Sequence, residues 1–293
     1  MNQENLIRLK DFSSDLGSTL KTLMRIPFMW RPADKFPPSH HQEAVILGNG
    51  PSLRNFLPNH QDFLKNKDVW AVNLFSTTPW FEKIKPAKYV VSAPEYWLDE
   101  VEEDFQKWRT DLFSSLAEKT RWPMDFFIPV AAKGKGDWQK MLDNNKHIRI
   151  IFYNTMPVEG FKWFRYALYD RKFGMPRPHN VMIPSLMNAI LSGYEKIYVT
   201  GIDHDWLQYL SVQEDNTVYL IQKHFYDEEG NLKPAVMKKM GKGQRKMHEI
   251  LEKFYYSFRA YHEIAAYSTH KNTRIYNITP GSMVDAFERM KLK

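Results

Sequence analysis

The sequence predicts an α/β fold built on a mainly parallel sheet, and two patterns support this class. From residue 44 onwards, short and nearly continuous apolar runs alternate with longer segments of helical periodicity. Strands covered by helices on both faces are expected to be apolar throughout, and their alternation with helices favours parallel pairing through right-handed crossovers. The predicted strands cover residues 44–48, 68–73, 87–93, 125–131, 148–154, 196–202 and 274–279, and the predicted helices cover residues 52–65, 98–119, 136–144, 179–193, 243–269 and 281–290.

Residues 1–40 are predicted to form a helical extension to a catalytic domain of residues 41–293. Leucines recur at helical spacing from Leu6 to Leu23, with basic residues between them. Residues 26–32, which contain two prolines, are predicted to break this helix. Such a helix fits an anionic membrane surface, contacted through residues 1–35. A helix packed on the domain, or on a second copy of the chain in a homo-oligomer, would give the same pattern.

Composition limits the classes of function. The 293 residues carry a formal net charge of +7, which favours anionic partners such as phosphorylated substrates or an acidic membrane; we expect no nucleic-acid partner. The chain has no cysteine, and therefore no disulfide, thiolate metal site or cysteine nucleophile. No apolar run is long enough to span a bilayer, and charges interrupt the N-terminal segment where a signal peptide would be apolar. We expect a cytoplasmic protein, peripheral at the inner membrane face.

The first predicted strand ends in a glycine turn, the residues Gly48, Asn49 and Gly50, followed by Pro51 and Ser52. Proline suits the first turn of a helix, and ligands of parallel sheets bind outside the carboxyl ends of strands. Because a helix start directs unpaired N–H groups at an anion, we expect a phosphate-bearing ligand here. A plain strand-to-helix connection or an Asn-Gly hairpin turn would have the same residues.

Two common nucleotide-binding motifs are absent from this turn. The dinucleotide fingerprint has a third glycine near Leu53 and an acidic residue at the end of the second strand, where Asn73 stands instead. A P-loop has Gly-Lys-Ser or Gly-Lys-Thr, where this chain has Pro51 and Ser52.

Three further strand ends carry small or amide residues that can contact a ligand. Asparagine both donates and accepts hydrogen bonds, so it can bind a nucleobase or a ribose. Asp203 and Asp205 also allow a D-x-D site for magnesium or manganese. An ordinary turn can have the same residues, and our prediction includes no metal. Ser282 can instead cap the last predicted helix. The residues at these strand ends are Asn73, Gly201, Asp203, Pro280, Gly281 and Ser282.

Residues 203–242 interrupt the alternation and are predicted to form a lid, because a long polar segment inside an α/β domain is usually functional. A solvated charged loop is the alternative. Within the segment, His224 can take a proton from a sugar hydroxyl, Tyr226 can donate to a phosphate oxygen, and Lys223 can neutralise charge. The glycines and lysines that mark the segment and its end are Gly230, Gly241, Gly243, Lys233, Lys238, Lys239 and Lys242.

These motifs together resemble a known family, the bacterial sialyltransferases that use CMP-activated sugars and their relatives that transfer Kdo. The glycine turn resembles the opening motif of that family, and Asn73 resembles its second nucleotide-contacting asparagine. The segment from Asn180 to Asp203 is similar to its helix, Gly-Tyr pair, strand and Gly-Ile-Asp sequence, and residues 275–282 are similar to its C-terminal strand and turn. The matches fall in order over residues 44–290, outside the first 40.

The resemblance implies a Rossmann-like sheet with a lid, a CMP-sugar donor, and inverting transfer without a metal or another cofactor. It implies a general base at His224, assisted at the phosphate by Tyr226 or Lys223. The implied acceptor is a bacterial surface glycan, as in lipopolysaccharide or capsule biosynthesis. The implied nucleotide-binding residues are Gly48, Asn49, Gly50, Ser52, Asn73, Asn180, Gly201, Asp203, Pro280, Gly281 and Ser282.

The chain departs from the family at two places. His204, Asp205 and Trp206 stand where the family has a phosphate-binding tyrosine, and Asn180 with Val181 replaces a Thr-Ser pair. The donor sugar can therefore be sialic acid or another acidic sugar such as Kdo.

Two other classes of function remain open. The glycine turn and the Gly-Ile-Asp sequence also resemble the hydroxymethylpterin diphosphokinase-like family, which implies ATP, magnesium on Asp203 and Asp205, and pyrophosphoryl transfer. The third class is a non-catalytic protein that binds nucleotide or anionic lipid through residues 1–35 and the basic lid. CMP without metal should raise the melting temperature of a CMP-sugar transferase, and ATP with magnesium should raise that of a diphosphokinase-like enzyme. Neither ligand should raise the melting temperature of a non-catalytic protein.

Overall fold

The structure, a computed structural model, describes residues 3–227, 234–239 and 243–292. Its centre is an eight-stranded sheet in which every neighbouring pair is parallel. The strands of this sheet are β1 (Glu43–Leu47), β2 (Asp68–Val72), β3 (Lys88–Val90), β4 (Met124–Pro129), β5 (Ile148–Tyr153), β6 (Lys196–Thr200), β10 (Arg274–Asn277) and β11 (Glu288–Arg289). A separate antiparallel sheet contains β7 (Leu210–Val212), β8 (Val218–Leu220) and β9 (Ala235–Val236). The predicted α/β Rossmann-like fold is confirmed.

Helices cover both faces of the large sheet. Their bounds are α1 (Gln3–Met29), α2 (Leu53–Asn59), α3 (Gln61–Leu64), α4 (Trp80–Ile84), α5 (Glu103–Lys119), α6 (Trp138–Leu142), α7 (Lys162–Asp170), α8 (Met182–Leu191) and α9 (Met247–His270). Successive side chains of a strand point to opposite faces, so Ile46 shares a core with α8 and α9, while Leu47 shares one with α2 and α5.

The order of the strands creates a switch point beside β1. The order across the sheet is β11-β10-β6-β1-β2-β3-β4-β5, so the chain moves outward in one direction from β1 to β5 and then returns to the other side of β1 at β6. The loops that leave β1 and β6 therefore diverge to opposite faces, and the crevice between them is the usual ligand site of such sheets.

All seven predicted strands of the large sheet are confirmed, and three helix predictions differ from the structure. The predicted helix over 52–65 divides into α2 and α3 at His60. The predicted helix over 281–290 is wrong, because this stretch forms a turn and the short strand β11. The break predicted at residues 26–32 is also wrong at its start: α1 continues through Pro27 to Met29, and Trp30 then stacks on Phe173 with ring centroids 4.8 Å apart.

One face of α1 is packed on the rest of the chain. The hydroxyl of Thr22 donates to Glu159 O and accepts from Glu159 N, and Arg25 pairs with the Glu159 carboxylate at 2.9 Å. Gly160 lies against the same helix, and a Cβ added there would meet Thr19 Oγ1 at 2.0 Å. The division at residue 40 stays a prediction, and these contacts hold residues 19–25 against the loop before α7.

The segment predicted as a lid contains regular structure that its polar sequence concealed. The antiparallel sheet β7-β8-β9 packs Val218 and Leu220 against Ile250 and Phe254 of α9. Gly230, Lys233, Gly241 and Lys242 lie outside the described residues. No helix in the described part of the chain combines the length and the hydropathy that a membrane span requires.

Candidate functional site

The glycine turn and the loop after β6 contact each other through their backbones at the switch point. Gly48 N donates to Thr200 O at 2.8 Å, and Gly50 N donates to Gly201 O at 2.8 Å. A Cβ on Gly48 would lie 2.8 Å from Gly201 O, and Gly201 itself has a φ of +68°. Glycine is therefore required here because the two backbones lie too close together to leave room for a Cβ atom. The N–H of Gly50 that we expected to meet a ligand is already bonded within the protein.

Asp203 occupies the start of α2. Its carboxylate accepts hydrogen bonds from Ser52 N at 3.2 Å and from Ser52 Oγ at 2.9 Å. Burial raises the pKa of Asp203, and the bonds from Ser52 act in the opposite direction. The anion at this helix start is therefore a carboxylate of the protein. This corrects the expectation that α2 directs free N–H groups at a ligand phosphate.

Two asparagines follow the ends of the neighbouring strands β1 and β2. Asn49 Nδ2 donates to Val72 O at 3.0 Å, so the amide of Asn49 lies beside Asn73. Asn73 has a φ of +49°, and its carbonyl accepts from the Tyr89 hydroxyl. Asn49 Oδ1 and Asn73 Oδ1 are both buried and have no hydrogen-bond partner among the described residues. Buried acceptors without a partner are costly, so they mark a place where a ligand or water donates.

Asn180 lies at the start of α8, close to the glycine turn. Its Oδ1 accepts from Met182 N at 2.9 Å and from the Tyr261 hydroxyl at 3.0 Å, while its Nδ2 is buried with no partner in the described ranges. The sulfur of Met182 would lie 3.0 Å from a Cβ on Gly48. Asn180 therefore adds a buried amide donor that has no partner in the described part of the chain.

His204 lies inside the core instead of beside the neighbouring acids. Its Nε2 is 2.6 Å from the Tyr261 hydroxyl, and its ring stacks on Trp206 with centroids 4.1 Å apart. Burial lowers the pKa of His204 to about 3, so the imidazole is neutral. Among the residues that the structure describes, no three His, Asp or Glu side chains converge as a metal site would require.

The segment that carries His224 is fastened to the glycine turn. Phe225 N donates to Asn49 O at 3.0 Å, and Arg54 Nε donates to Phe225 O at 3.0 Å. The buried ring of Phe225 packs on Phe75, with centroids 5.7 Å apart. The backbone next to His224 is therefore held against the backbone of Asn49, and a site shared by His224 with Asn49 and Asn73 stays a prediction.

The imidazole of His224 is paired with an acid. Its Nδ1 is 3.4 Å from Asp227 Oδ2, and its ring is parallel to that of Tyr226 at 5.0 Å. The side chain is 41% exposed, so its other face is open to a substrate. Burial raises the pKa of Asp227, but the hydrogen bonds from His224 outweigh burial and leave that pKa below its usual value. Burial raises the pKa of Tyr226, which therefore stays a hydroxyl.

Lys223 and the C-terminal turn make contacts within the protein. The Lys223 ammonium is 3.8 Å from the centre of the Tyr209 ring, on the side of the small sheet. Ser282 Oγ donates to Ile202 O at 2.6 Å and accepts from Asn277 Nδ2 at 3.1 Å, so it joins two loops and caps no helix. Pro280 and Gly281 are exposed. Their binding roles, like that of Lys223, stay predictions.

Three residues near the crevice were missed by sequence reasoning. Glu95 follows β3 in a 3-10 turn (Pro94–Tyr96), and its Oε2 is buried without a partner in the described ranges. Its position after a strand was a usable signal, because neighbouring parallel strands end at the same edge. Arg245, which precedes α9, and Lys253 of α9 lie close enough to His179 for their charges to lower its pKa. The sequence positions of Arg245 and Lys253 do not distinguish these residues from cations on the protein surface.

Neither a protein-family model nor a curated protein matches this chain. Among solved structures it is similar to the structure of a MAf glycosyltransferase from Magnetospirillum magneticum AMB-1, with a TM-score of 0.48 and 11% sequence identity. The similarity covers 94% of this chain and 38% of that one, so this chain spans well under half the length of the protein it matches. The resemblance to CMP-sugar-dependent sialyltransferases stays a prediction from the residues.

Proposed function

We propose that the chain is a glycosyltransferase that moves an acidic sugar, sialic acid or a Kdo-like sugar, from a CMP-linked donor to a hydroxyl group of a glycan, with inversion. The observation that carries the proposal is the pair of unpartnered acceptors, Asn49 Oδ1 and Asn73 Oδ1, at the switch point. A phosphate dianion has no hydrogen to donate to them. The amino group of cytosine and the hydroxyls of ribose do donate, so a nucleoside fits this position.

His224 supplies the base in this proposal. With the Nδ1 hydrogen directed at Asp227, Nε2 is free to take the proton of the acceptor hydroxyl. The acceptor oxygen then bonds to the anomeric carbon, the bond from that carbon to the phosphate oxygen breaks, and CMP leaves with the electron pair. Tyr226 keeps its hydrogen and can donate to the leaving phosphate.

Thermal unfolding with added nucleotides tests the donor class. CMP without metal at about one hundred times its Kd should stabilise the folded protein by about 2.7 kcal/mol. Asn73→Gly should reduce this stabilisation, since glycine adopts the left-handed φ of Asn73 but has no amide. Asn272→Gly is the matched control, because Asn272 has a similar φ of +55° and is exposed.

Two results would contradict the proposal. Stabilisation by ATP with magnesium and not by CMP would favour pyrophosphoryl transfer, although the carboxylate of Asp203 is already bonded to Ser52. Stabilisation by neither ligand would leave a non-catalytic role.

We also propose that α1 contacts an anionic membrane, where a lipid-linked glycan acceptor would be found. Opposite its packed face, α1 carries an exposed apolar stripe, with Met24 66% and Phe28 80% exposed. Lys10 and Lys21 lie beside this stripe at helical spacing. The other members of the stripe are Leu6, Leu9, Leu16, Leu20 and Leu23.

Vesicle flotation of the full chain tests this contact. Leu16→Gln with Leu20→Gln should abolish binding to phosphatidylglycerol vesicles, whereas Leu251→Gln, an exposed leucine of α9, should leave it unchanged. Substitutions are preferable to removal of residues 1–35, because Asp34 is bonded to Phe152 of β5. A concentration-dependent dimer with no vesicle binding would assign the stripe to a second copy of the chain.

A further inference from the structure

Basic side chains from separate segments meet next to Asn180. His179 precedes Asn180, and its ring stacks on Tyr256 of α9 with centroids 5.4 Å apart. The guanidinium of Arg177 lies 4.5 Å from the centre of the same ring. His179 Nε2 is buried and has no hydrogen-bond partner within the described residues. An unpaired ring nitrogen therefore lies at the edge of the proposed nucleotide site.

Two cations beside His179 lack a counter-charge among the residues that the structure describes. Arg177 forms an ion pair with Glu159 at 2.7 Å, a carboxylate that it shares with Arg25, but Arg245 and Lys253 form no ion pair or side-chain hydrogen bond with the residues that the structure describes. Burial and the charges of Lys253, Arg177 and Arg245 lower the pKa of His179 to about 4. Burial and the charge of Arg245 lower the pKa of Lys253. The groups are therefore close enough to repel one another, which is unfavourable until an anion binds between them.

Glu95 faces this group from the end of β3. Its charge attracts Lys253, yet the two form no ion pair, and Glu95 Oε2 is buried without a partner in the described ranges. Glu95 and Lys253 therefore lie near each other without direct contact between their charged groups. A ligand that places an anionic group at the cations and a hydroxyl at Glu95 would satisfy both sides.

We propose that His179, Arg245 and Lys253 form an anion subsite beside the nucleotide, and that it takes a carboxylate or phosphate group on a hydroxylated substrate. The identity of that substrate rests on the proposed function: the anion is either the carboxylate of the donor sugar or a phosphate of the acceptor. Glu95 accepts a hydroxyl hydrogen from the same substrate. The subsite itself depends only on the side chains.

Calorimetric titration of the nucleotide-free protein with pyrophosphate tests the subsite without any nucleotide. The double variant Arg245→Met, Lys253→Met should bind pyrophosphate at least about tenfold more weakly, because it loses two charged partners. Arg259→Met, an exposed arginine farther along α9, should bind as the native protein does. The melting temperature of the double variant should not fall, since the substitutions remove mutual repulsion.

Titrations with CMP and CMP-sialic acid distinguish the two sources of the anion. Equal CMP affinity in native protein and double variant, with a selective loss for CMP-sialic acid, assigns the subsite to the donor carboxylate. Unchanged affinity for both, with weaker pyrophosphate binding, assigns it to an acceptor phosphate.

Three outcomes would overturn the subsite. They are pyrophosphate binding that is equal in both proteins, pyrophosphate binding that is absent from the native protein, and a lowered melting temperature with loss of CMP binding. If the native protein binds pyrophosphate through these cations but does not bind CMP, the proposed function is refuted and the proposed subsite is not.

Discussion

Replacement of Asp203 tests whether its carboxylate, by accepting hydrogen bonds from Ser52, holds the loop after β6 against the start of α2. In Asp203→Ala, Ser52 N and Ser52 Oγ lose the acceptor that lies 3.2 and 2.9 Å away. Each bond to a charged acceptor is worth about 1.5–3 kcal/mol, and relief of the buried charge offsets part of the loss. We expect a net destabilisation of about 2–4 kcal/mol. Asp203→Asn keeps an acceptor oxygen and should cost about 1 kcal/mol or less.

Urea denaturation of these variants gives the free energies of unfolding directly. A double-mutant cycle with Ser52→Ala isolates the coupling between the two side chains, and Asp205→Ala is the control, because the hydrogen bonds of Ser52 to a carboxylate in the described structure go to Asp203. Burial raises the folded pKa of Asp203. Its ionisation therefore costs stability as the pH rises through that pKa, and Asp203→Asn should remove this dependence. Equal effects of Asp203→Ala and Asp205→Ala would refute the fastening role.

Three further predictions concern the base and the attachment of α1. His224→Ala should lower kcat for sugar transfer by about two to four orders of magnitude with CMP affinity unchanged; near-native turnover would remove the assignment. Burial acts against ionisation of Glu159, but hydrogen bonds from Arg177 and Arg25 outweigh it and lower its pKa from 4.5 to about 2. That pairing should therefore stabilise the fold by on the order of 3 kcal/mol above pH 4.5, and this stabilisation should be lost as the pH falls towards 2. In Glu159→Gln, chemical denaturation should show no such decrease in the free energy of unfolding across this pH range. Gly160→Ala should detach α1, because the added Cβ meets backbone and hydroxyl atoms of that helix, whereas Gly134→Ala shares a positive φ in open space. Limited proteolysis that releases α1 equally from both variants would contradict this.

The large sheet was predictable because its strands are short apolar runs, a pattern that is typical of strands buried on both faces. The errors lie where tertiary contacts override local pattern. The side chains of Asn277 and Ser282 bond to each other and close a turn, so residues 281–290 cannot form the expected helix. The helix α7 was missed because its sequence is dominated by aromatic residues, which favour strands in isolation; Tyr166 and Tyr169 instead pack on Tyr267.

The candidate site was predictable only in part, for a related reason. Strand ends meet at one edge whatever the side chains are, so the positions of Asn49 and Asn73 follow from the sheet. Which of their atoms stay free depends on partners such as Val72 O. Lys253 and Glu95 lie close enough in the fold for the charge of Glu95 to affect Lys253, and nothing in their separate segments indicates this.

The attachment of residues 224–227 to the glycine turn has a consequence for the order of events in the proposed reaction. Phe225 N donates to Asn49 O, and Arg54 Nε donates to Phe225 O, so we expect the imidazole of His224 to be in position before the substrates bind. Donor and acceptor can then enter in either sequence, and a random-order kinetic pattern is expected. Little reorganisation would separate the resting enzyme from its reactive form.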